Sequence, residues 1–141
     1  MKRYLVDTNV PSELTYERPD EHVQKFLTSI DREDIFMSVL TIGEICKGIS
    51  GLPASQKRAI LQNWLDEDVR SWFAGRILPV TQPIAERWGH MAASAKQRGF
   101  ALTVVDGLIA ATAIENNLVL VTRNTKDFTN LGVDIVNPWT V

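Results

Sequence analysis

Three carboxylates stand out by what surrounds them. Asp7 closes the apolar run in YLVDTN, Glu44 lies in SVLTIGEICKG, and Asp106 lies in LTVVDGLIAATA. Each is an acid set against an apolar background. Carboxylates gathered within a few ångströms oppose one another's ionisation. A bound divalent cation removes that cost, and hard oxygen donors with open positions suit Mg²⁺ or Mn²⁺. Such a cation can bridge an acidic site to a phosphate and lower the pKa of a bound water. Plainer explanations exist for each acid. Thr41-x-x-Glu44 fits a helix capping box, Asp106 could be only an N-cap, and Asp7 could be only a turn residue. All three falling on one edge of a sheet favours a site.

The elements that must position these acids can be read from periodicity. Arg3–Val6 reads as a first strand ending at Asp7, and Ser12–Tyr16 as a short helix. Pro19-Asp20-Glu21 starts a helix whose Val23, Phe26, Leu27 and Ile30 share one face. Ile35–Met37 reads as a second strand and Thr41–Gly48 as a helix ended by Gly48. After the break at Gly51-Leu52-Pro53, Ser55–Phe73 reads as one long helix. Ile77–Val80 is a third strand, with Pro79 suited to an edge. Pro83 opens a helix carrying Ile84, Trp88, Met91 and Ala95, which stops near Gly99. Leu108–Ile114 belongs to an apolar helix beginning near Asp106, followed by strands at Leu118–Val121 and Asp134–Val136. Helices alternating with short apolar strands predict an α/β fold with a mostly parallel buried sheet. Strand ends and the helix starts that follow them share one edge of such a sheet, so the three acids can converge. Ligands bind at that edge.

Bulk properties narrow the function. The 141 residues fit one domain, 1–141, with one core. With 45% hydrophobic and 23% charged residues, the chain is expected to be globular and soluble. A formal net charge of −2 argues against a non-specific DNA coat protein but leaves room for a metal-dependent nucleic-acid enzyme. The lone Cys46 excludes an intrachain disulfide, and no run approaches the roughly 20 apolar residues of a membrane helix. A cytoplasmic protein is expected.

Other candidates carry less chemistry. His22 and His90 lack metal-ligand spacing, and Ser12, Ser38 and Thr41 lack a histidine partner. No Gly-rich phosphate loop is present, and Cys46 and the four tryptophans read as packing residues. Of the scattered basic residues, Arg123 is the best placed to face a phosphate backbone.

The ordered set LVDTNVPSE, SVLTIGEICKGI, FAGRILPV, VVDGLIAATA, LVTRNTKDF and NPW resembles the PIN-domain ribonucleases. Within them it is most similar to VapC-type toxins of toxin–antitoxin pairs, in their FitB-like branch. The resemblance runs nearly end to end. It implies a three-layer α/β/α sandwich around a five-stranded sheet of order 3-2-1-4-5, and Mg²⁺- or Mn²⁺-dependent RNA endonuclease activity. It matches Asp7, Glu44 and Asp106 to the metal-site acids, Thr8 and Asn9 to the polar pair beside the first, and Thr41 to the hydroxyl one turn before the second. It also implies a homodimer held inactive by a VapB- or FitA-like antitoxin. One departure stands out. The segment that often carries a fourth acid as T-x-D reads Thr122-Arg123-Asn124, and Asp127 follows three residues on. A neutral Asn124 argues against a tightly held second metal.

The implied reaction is phosphodiester hydrolysis in RNA. Asp7 and Asp106 would hold the cation, Glu44 would hold or orient the attacking water, and Thr122 and Asn124 would support by hydrogen bonding. Two other readings stay open. An aspartyl phosphotransfer module also places an Asp after a strand, but it would want a second acid where Thr8-Asn9 stands. A PIN-like domain that is catalytically weak and only binds a partner is the other.

Overall fold

The computed structural model describes residues 2–141. Five strands form one sheet: β1 (Tyr4–Val6), β2 (Ile35–Ser38), β3 (Ile77–Leu78), β4 (Val119–Val121) and β5 (Ile135–Val136). Their order is β3-β2-β1-β4-β5 and every pairing is parallel. β1 lies at the centre, with Leu5 opposite Phe36 on one side and Leu120 on the other. The chain builds outward from β1 to β3, then returns to build β4 and β5 on β1's free side. That reversal places a crevice beyond the carboxyl ends of β1 and β4.

Strand side chains alternate between two cores, as a period of two requires. Leu5 and Leu120 pack with Ile84, Met91, Ile109, Ala110 and Phe128 on one face. Val6, Met37 and Val121 pack with Val23, Ile45, Leu65 and Phe73 on the other. The helices behind the first core are α6 (Gln82–Gln97) and α7 (Val104–Glu115). Behind the second are α2 (Glu21–Thr28), α3 (Val39–Ser50) and the segment that follows α4 (Gln56–Asn63). The result is the expected α/β/α sandwich. Among the described residues, no helix is long and apolar enough to cross a membrane.

Several boundaries differ from the sequence expectation, and each has a local cause. The short helix α1 spans Asn9–Glu13, not Ser12–Tyr16, because the Val10 N–H already bonds back to the Asp7 carbonyl. Pro11 is tolerated in that first turn, where its missing N–H has no helical partner. Helix α3 starts at Val39, capped by the Ser38 hydroxyl on the Leu40 N–H, and runs past Gly48 to Ser50. The plainer explanation of Thr41 and Glu44 as a capping box therefore does not hold: Thr41 lies inside the helix, fully buried. The long helix expected over Ser55–Phe73 is α4, a π-helical stretch at Trp64–Val69, then α5 (Arg70–Trp72). The wider turn leaves Leu65 and Val69 buried in the second core.

The arginine of the FAGRILPV stretch is structural. The Arg76 guanidinium donates to the carbonyls of Arg32, Ile35 and Trp72 and stands over the Trp72 ring at 4.8 Å. Burial, and then the nearby Arg32, lower its pKa. It ties the start of β3 to the start of β2.

Candidate active site

Asp7 is the first residue beyond β1, and its N–H bonds to the carbonyl of Val121 at the end of β4. The end of the central strand pair therefore fixes its backbone. Its side chain is buried and doubly held. Oδ1 accepts the Thr8 N–H at 2.8 Å, and Oδ2 accepts the Thr122 hydroxyl at 2.9 Å. Each oxygen keeps a lone pair for another partner.

Thr122 is the hub of a small network. Its fully buried hydroxyl donates to Asp7 and accepts from Asn9 Nδ2 at 3.2 Å and from the Asn124 N–H at 3.1 Å. Asn9 Oδ1 in turn accepts the Arg123 N–H at 3.3 Å. One hydroxyl thereby uses its single proton and both lone pairs. The DTN and TRN stretches interlock through it. Thr122→Val keeps the shape and removes the hub. It is expected to cost about 1–3 kcal/mol of stability and to lower cleavage by about 10- to 100-fold, as loss of a ligand-orienting partner does. Thr122→Ser should restore both, as read by denaturant unfolding and cleavage rate.

Glu44 projects from α3, exposed, and its Oε1 accepts the Thr8 hydroxyl at 2.6 Å. Thr8 thus touches two of the acids, Asp7 through its N–H and Glu44 through its hydroxyl. Asp106 sits in the first turn of α7 with its N–H on the Thr103 hydroxyl at 3.2 Å. Thr103 is the N-cap, so Asp106 is not. The signal for this was present as Thr103-x-x-Asp106, the same spacing that suggested a box at Thr41 and Glu44.

The acids feel one another. Burial, above all, pushes the Asp7 carboxyl above the usual carboxylate range. The Thr122 and Thr8 bonds oppose the rise, and the charges of Asp106 and Glu44 add to it. Burial also raises Asp106; Thr103 opposes this, and Asp127 and Glu44 add to it. As placed, no three His, Cys, Asp or Glu side chains among the described residues are gathered closely enough to hold one metal ion. Uncompensated like charges have no reason to close up. The donor chemistry nonetheless fits a hard divalent cation: desolvated and repelled carboxylates at Asp7 and Asp106, an exposed carboxylate at Glu44, and no basic side chain bonded to any of them among the described residues.

The remaining expected residues are distributed as follows. Asn124 is exposed and leads into a 3-10 turn at Thr125–Phe128, where the Asp127 N–H bonds to the Asn124 carbonyl. Asp127 is close enough to act on Asp106. Arg123 is exposed and its guanidinium lies over Trp139 at 5.3 Å, which gives the terminal NPW stretch a place beside this edge. The Thr41 hydroxyl is buried with no hydrogen-bond partner among the described residues.

The PIN-domain family model matches residues 4–133, nearly the whole sheet and every residue of this cluster. The chain belongs to the PIN-domain family. It is 36% identical over 135 residues to VapC ribonuclease Y4jK of Sinorhizobium fredii, covering 96% of each chain. It is 37% identical over 135 residues to Toxin FitB of Neisseria gonorrhoeae, covering 96% of this chain and 97% of that one. The crystal structure of FitAcB from Neisseria gonorrhoeae superposes with a TM-score of 0.92 at 36% identity, over 98% of this chain and 99% of that one. The PIN-domain sheet order and the placement of Asp7 at its centre agree with the sequence expectation.

Proposed function

We propose that the protein is a metal-dependent RNA endonuclease acting as the toxin of a type II toxin–antitoxin pair. The observation that carries the chemistry is the meeting of acids at the β1/β4 crevice: Thr8 bonds both Asp7 and Glu44, and burial first, then neighbouring acids, push the Asp7 and Asp106 carboxyls above the usual carboxylate range. Relatives named as a VapC ribonuclease and as the toxin FitB, alike in length and fold, support RNA as substrate and an antitoxin as partner.

Asp7, Asp106 and Glu44 would hold the cation. When bound, Mg²⁺ or Mn²⁺ supplies positive charge against the scissile phosphate and acidity to water. Thr122 and the Thr8 N–H keep Asp7 in one rotamer, with outward lone pairs free. Glu44, tethered to the Thr8 hydroxyl, is placed to accept a proton from or orient the attacking water. Asn124 offers an amide oxygen without charge. Arg123, leaning on Trp139, presents guanidinium donors toward the RNA backbone. Catalysis rests on charge stabilisation and positioning, with no covalent enzyme intermediate. Nucleophilic phosphotransfer is disfavoured because Thr8-Asn9 stands where such a module would carry a second acid.

The protein acts in the cytoplasm, forms a homodimer and is silenced by a VapB- or FitA-like antitoxin. The antitoxin would set a basic side chain among the acids, replacing the cation's charge. An apolar groove of about 290 Å³ between α1, α2 and the π-helical stretch, lined by Leu14, Leu27, Trp64 and Trp72 among others, offers anchorage for its apolar residues. Expression of the protein alone should arrest bacterial growth and degrade RNA, and co-expression of a cognate antitoxin should relieve both. Sustained growth with soluble, metal-replete protein would refute the toxin reading.

Asn124 bears on metal number. Three carboxylates carry enough charge for one divalent cation but not two, and two ions held about 3.5–4 Å apart need nearby negative charge. The native chain is expected to bind one Mn²⁺ appreciably and a second only weakly. Asn124→Asp should tighten the second site and lower the metal concentration needed for cleavage. Asn124→Ala should cost less than Asp7→Asn. Calorimetric Mn²⁺ titration of the three variants and the native protein reads this directly; two tight sites in the native chain would overturn it.

A further inference from the structure

Gly107 follows Asp106 in the first turns of α7, and it has no room for a side chain. A methyl group built there would lie 2.6 Å from Cδ1 and 2.9 Å from Nε1 of Trp88, and 3.2 Å from Cδ2 of Leu102. The obstacle is the five-membered edge of an indole, a rigid group that cannot fold away as a flexible chain end would. Trp88 comes from α6 and is itself half-buried against the first core. The α6–α7 packing therefore brings backbone onto a ring at the step next to a proposed metal-site acid. Gly107 is not kept for unusual dihedrals, since it lies within a regular helix whose N–H bonds to the Thr103 carbonyl at 3.0 Å. It is kept for the approach.

We propose that Trp88 and Gly107 form a positioning contact that sets where the Asp106 carboxylate stands relative to Asp7. The inference rests on the metal-site reading of Asp106 given above. Thr103 fixes the first turn of α7 along its own axis. It does not fix how far that turn stands from α6 and the sheet. Contact between the indole edge and the bare Gly107 backbone does. Ligand placement tolerates only about 0.5 Å before a site loosens. Restoring an ordinary contact beside a new methyl group requires the turn or the ring to give by roughly 0.8 Å. Displacement of that size at residue 107 is carried to residue 106 by the helix backbone.

Gly107→Ala should raise the Mn²⁺ dissociation constant about 10-fold or more, the effect expected when a ligand loses its orientation. Metal-free crystals should show the first turn of α7 displaced from Asp7. Adding Trp88→Leu opens the space for the methyl group. The double variant should recover most of the Mn²⁺ affinity and the Asp106 position, while remaining less stable than the native protein because a large aromatic contact is gone. Affinity restored without stability separates positioning from general packing. Native Mn²⁺ affinity in Gly107→Ala would overturn the proposal, as would a loss that persists in the double variant. If Gly107→Ala fails to fold, Trp88→Leu alone decides. Its first turn should settle into the vacated space and its Mn²⁺ affinity should fall, and unchanged affinity would overturn the contact's role. If the native protein bound no Mn²⁺, the metal reading itself would fail, and the position of Asp106 in the metal-free crystals would decide the inference.

Discussion

Asp106→Asn is expected to abolish RNA cleavage and, in the same protein freed of metal, to raise the melting temperature. The two effects have one cause. Asp106 is partly buried beside the charges of Asp127 and Glu44, so its ionised form is disfavoured in the fold. The amide keeps the shape and drops the charge, which removes the repulsion. It also removes a ligand charge that a cation needs, and a cation's share of transition-state stabilisation is several kcal/mol, or about 10³-fold in rate. Asp7→Asn should be as inactive but gain less stability. Its two oxygens both accept, from the Thr8 N–H and the Thr122 hydroxyl. An amide presents a donor to one of them and forfeits a hydrogen bond worth about 1 kcal/mol. Thermal melts in EDTA and cleavage assays in Mg²⁺ check both. Near-native cleavage by either variant would remove that residue from the metal site.

EDTA is expected to stop cleavage completely and Mn²⁺ to restore it, with opposite pH trends in the two states. The Asp7 and Asp106 carboxyls are raised in the fold, mainly by burial. Raised folded pKa values mean that the native state holds protons the unfolded chain has lost. These two groups therefore weaken the metal-free fold above their folded pKa values, and that penalty is relieved as pH falls through them. The stability gained by Asp106→Asn should accordingly shrink on acidification. Metal binding requires the deprotonated ligands, so Mn²⁺ affinity should fall over the same range. At a Mn²⁺ concentration 100 times the dissociation constant, native stability gains about 2.7 kcal/mol. Cleavage indifferent to EDTA would end the metal mechanism.

The parallel pairing and the placement of Asp7 were legible because short apolar strands alternate with helices, whereas the strand order came only from the resemblance to the PIN-domain ribonucleases. Val119–Val121 and Tyr4–Val6 have one reading by length and residue type. Helix ends were less legible. Gly48 looks like a stop, yet it lies within α3, because a glycine ends a helix only where the chain must turn, and here that is at Gly51. Two T-x-x-acid spacings looked alike, and tertiary position decided between them. Thr103 stands outside α7 and caps it, whereas Ser38 does that work for α3 and leaves Thr41 inside. The π-helical stretch at Trp64–Val69 has no local sequence signature; it serves the register of Leu65 and Val69 in the core. Thr122 was expected to support by hydrogen bonding, but its bonds across the sheet were not legible, for another reason. Asp7 and Asn9 lie more than 110 residues from Thr122 in the chain, and only the adjacency of β1 and β4 joins them.

The Asp7, Glu44 and Asp106 cluster is expected to hold the ion with which RNA is cleaved. Anomalous diffraction from crystals of the antitoxin-free protein soaked in Mn²⁺ would locate that ion, with cleavage measured on the same preparation. We predict one strong peak at coordination distance from carboxylate oxygens of Asp7 and Asp106, with Glu44 turned toward it, and no such peak in Asp106→Asn. RNA cleavage by protein whose Mn²⁺ lies elsewhere, or nowhere, would contradict the account.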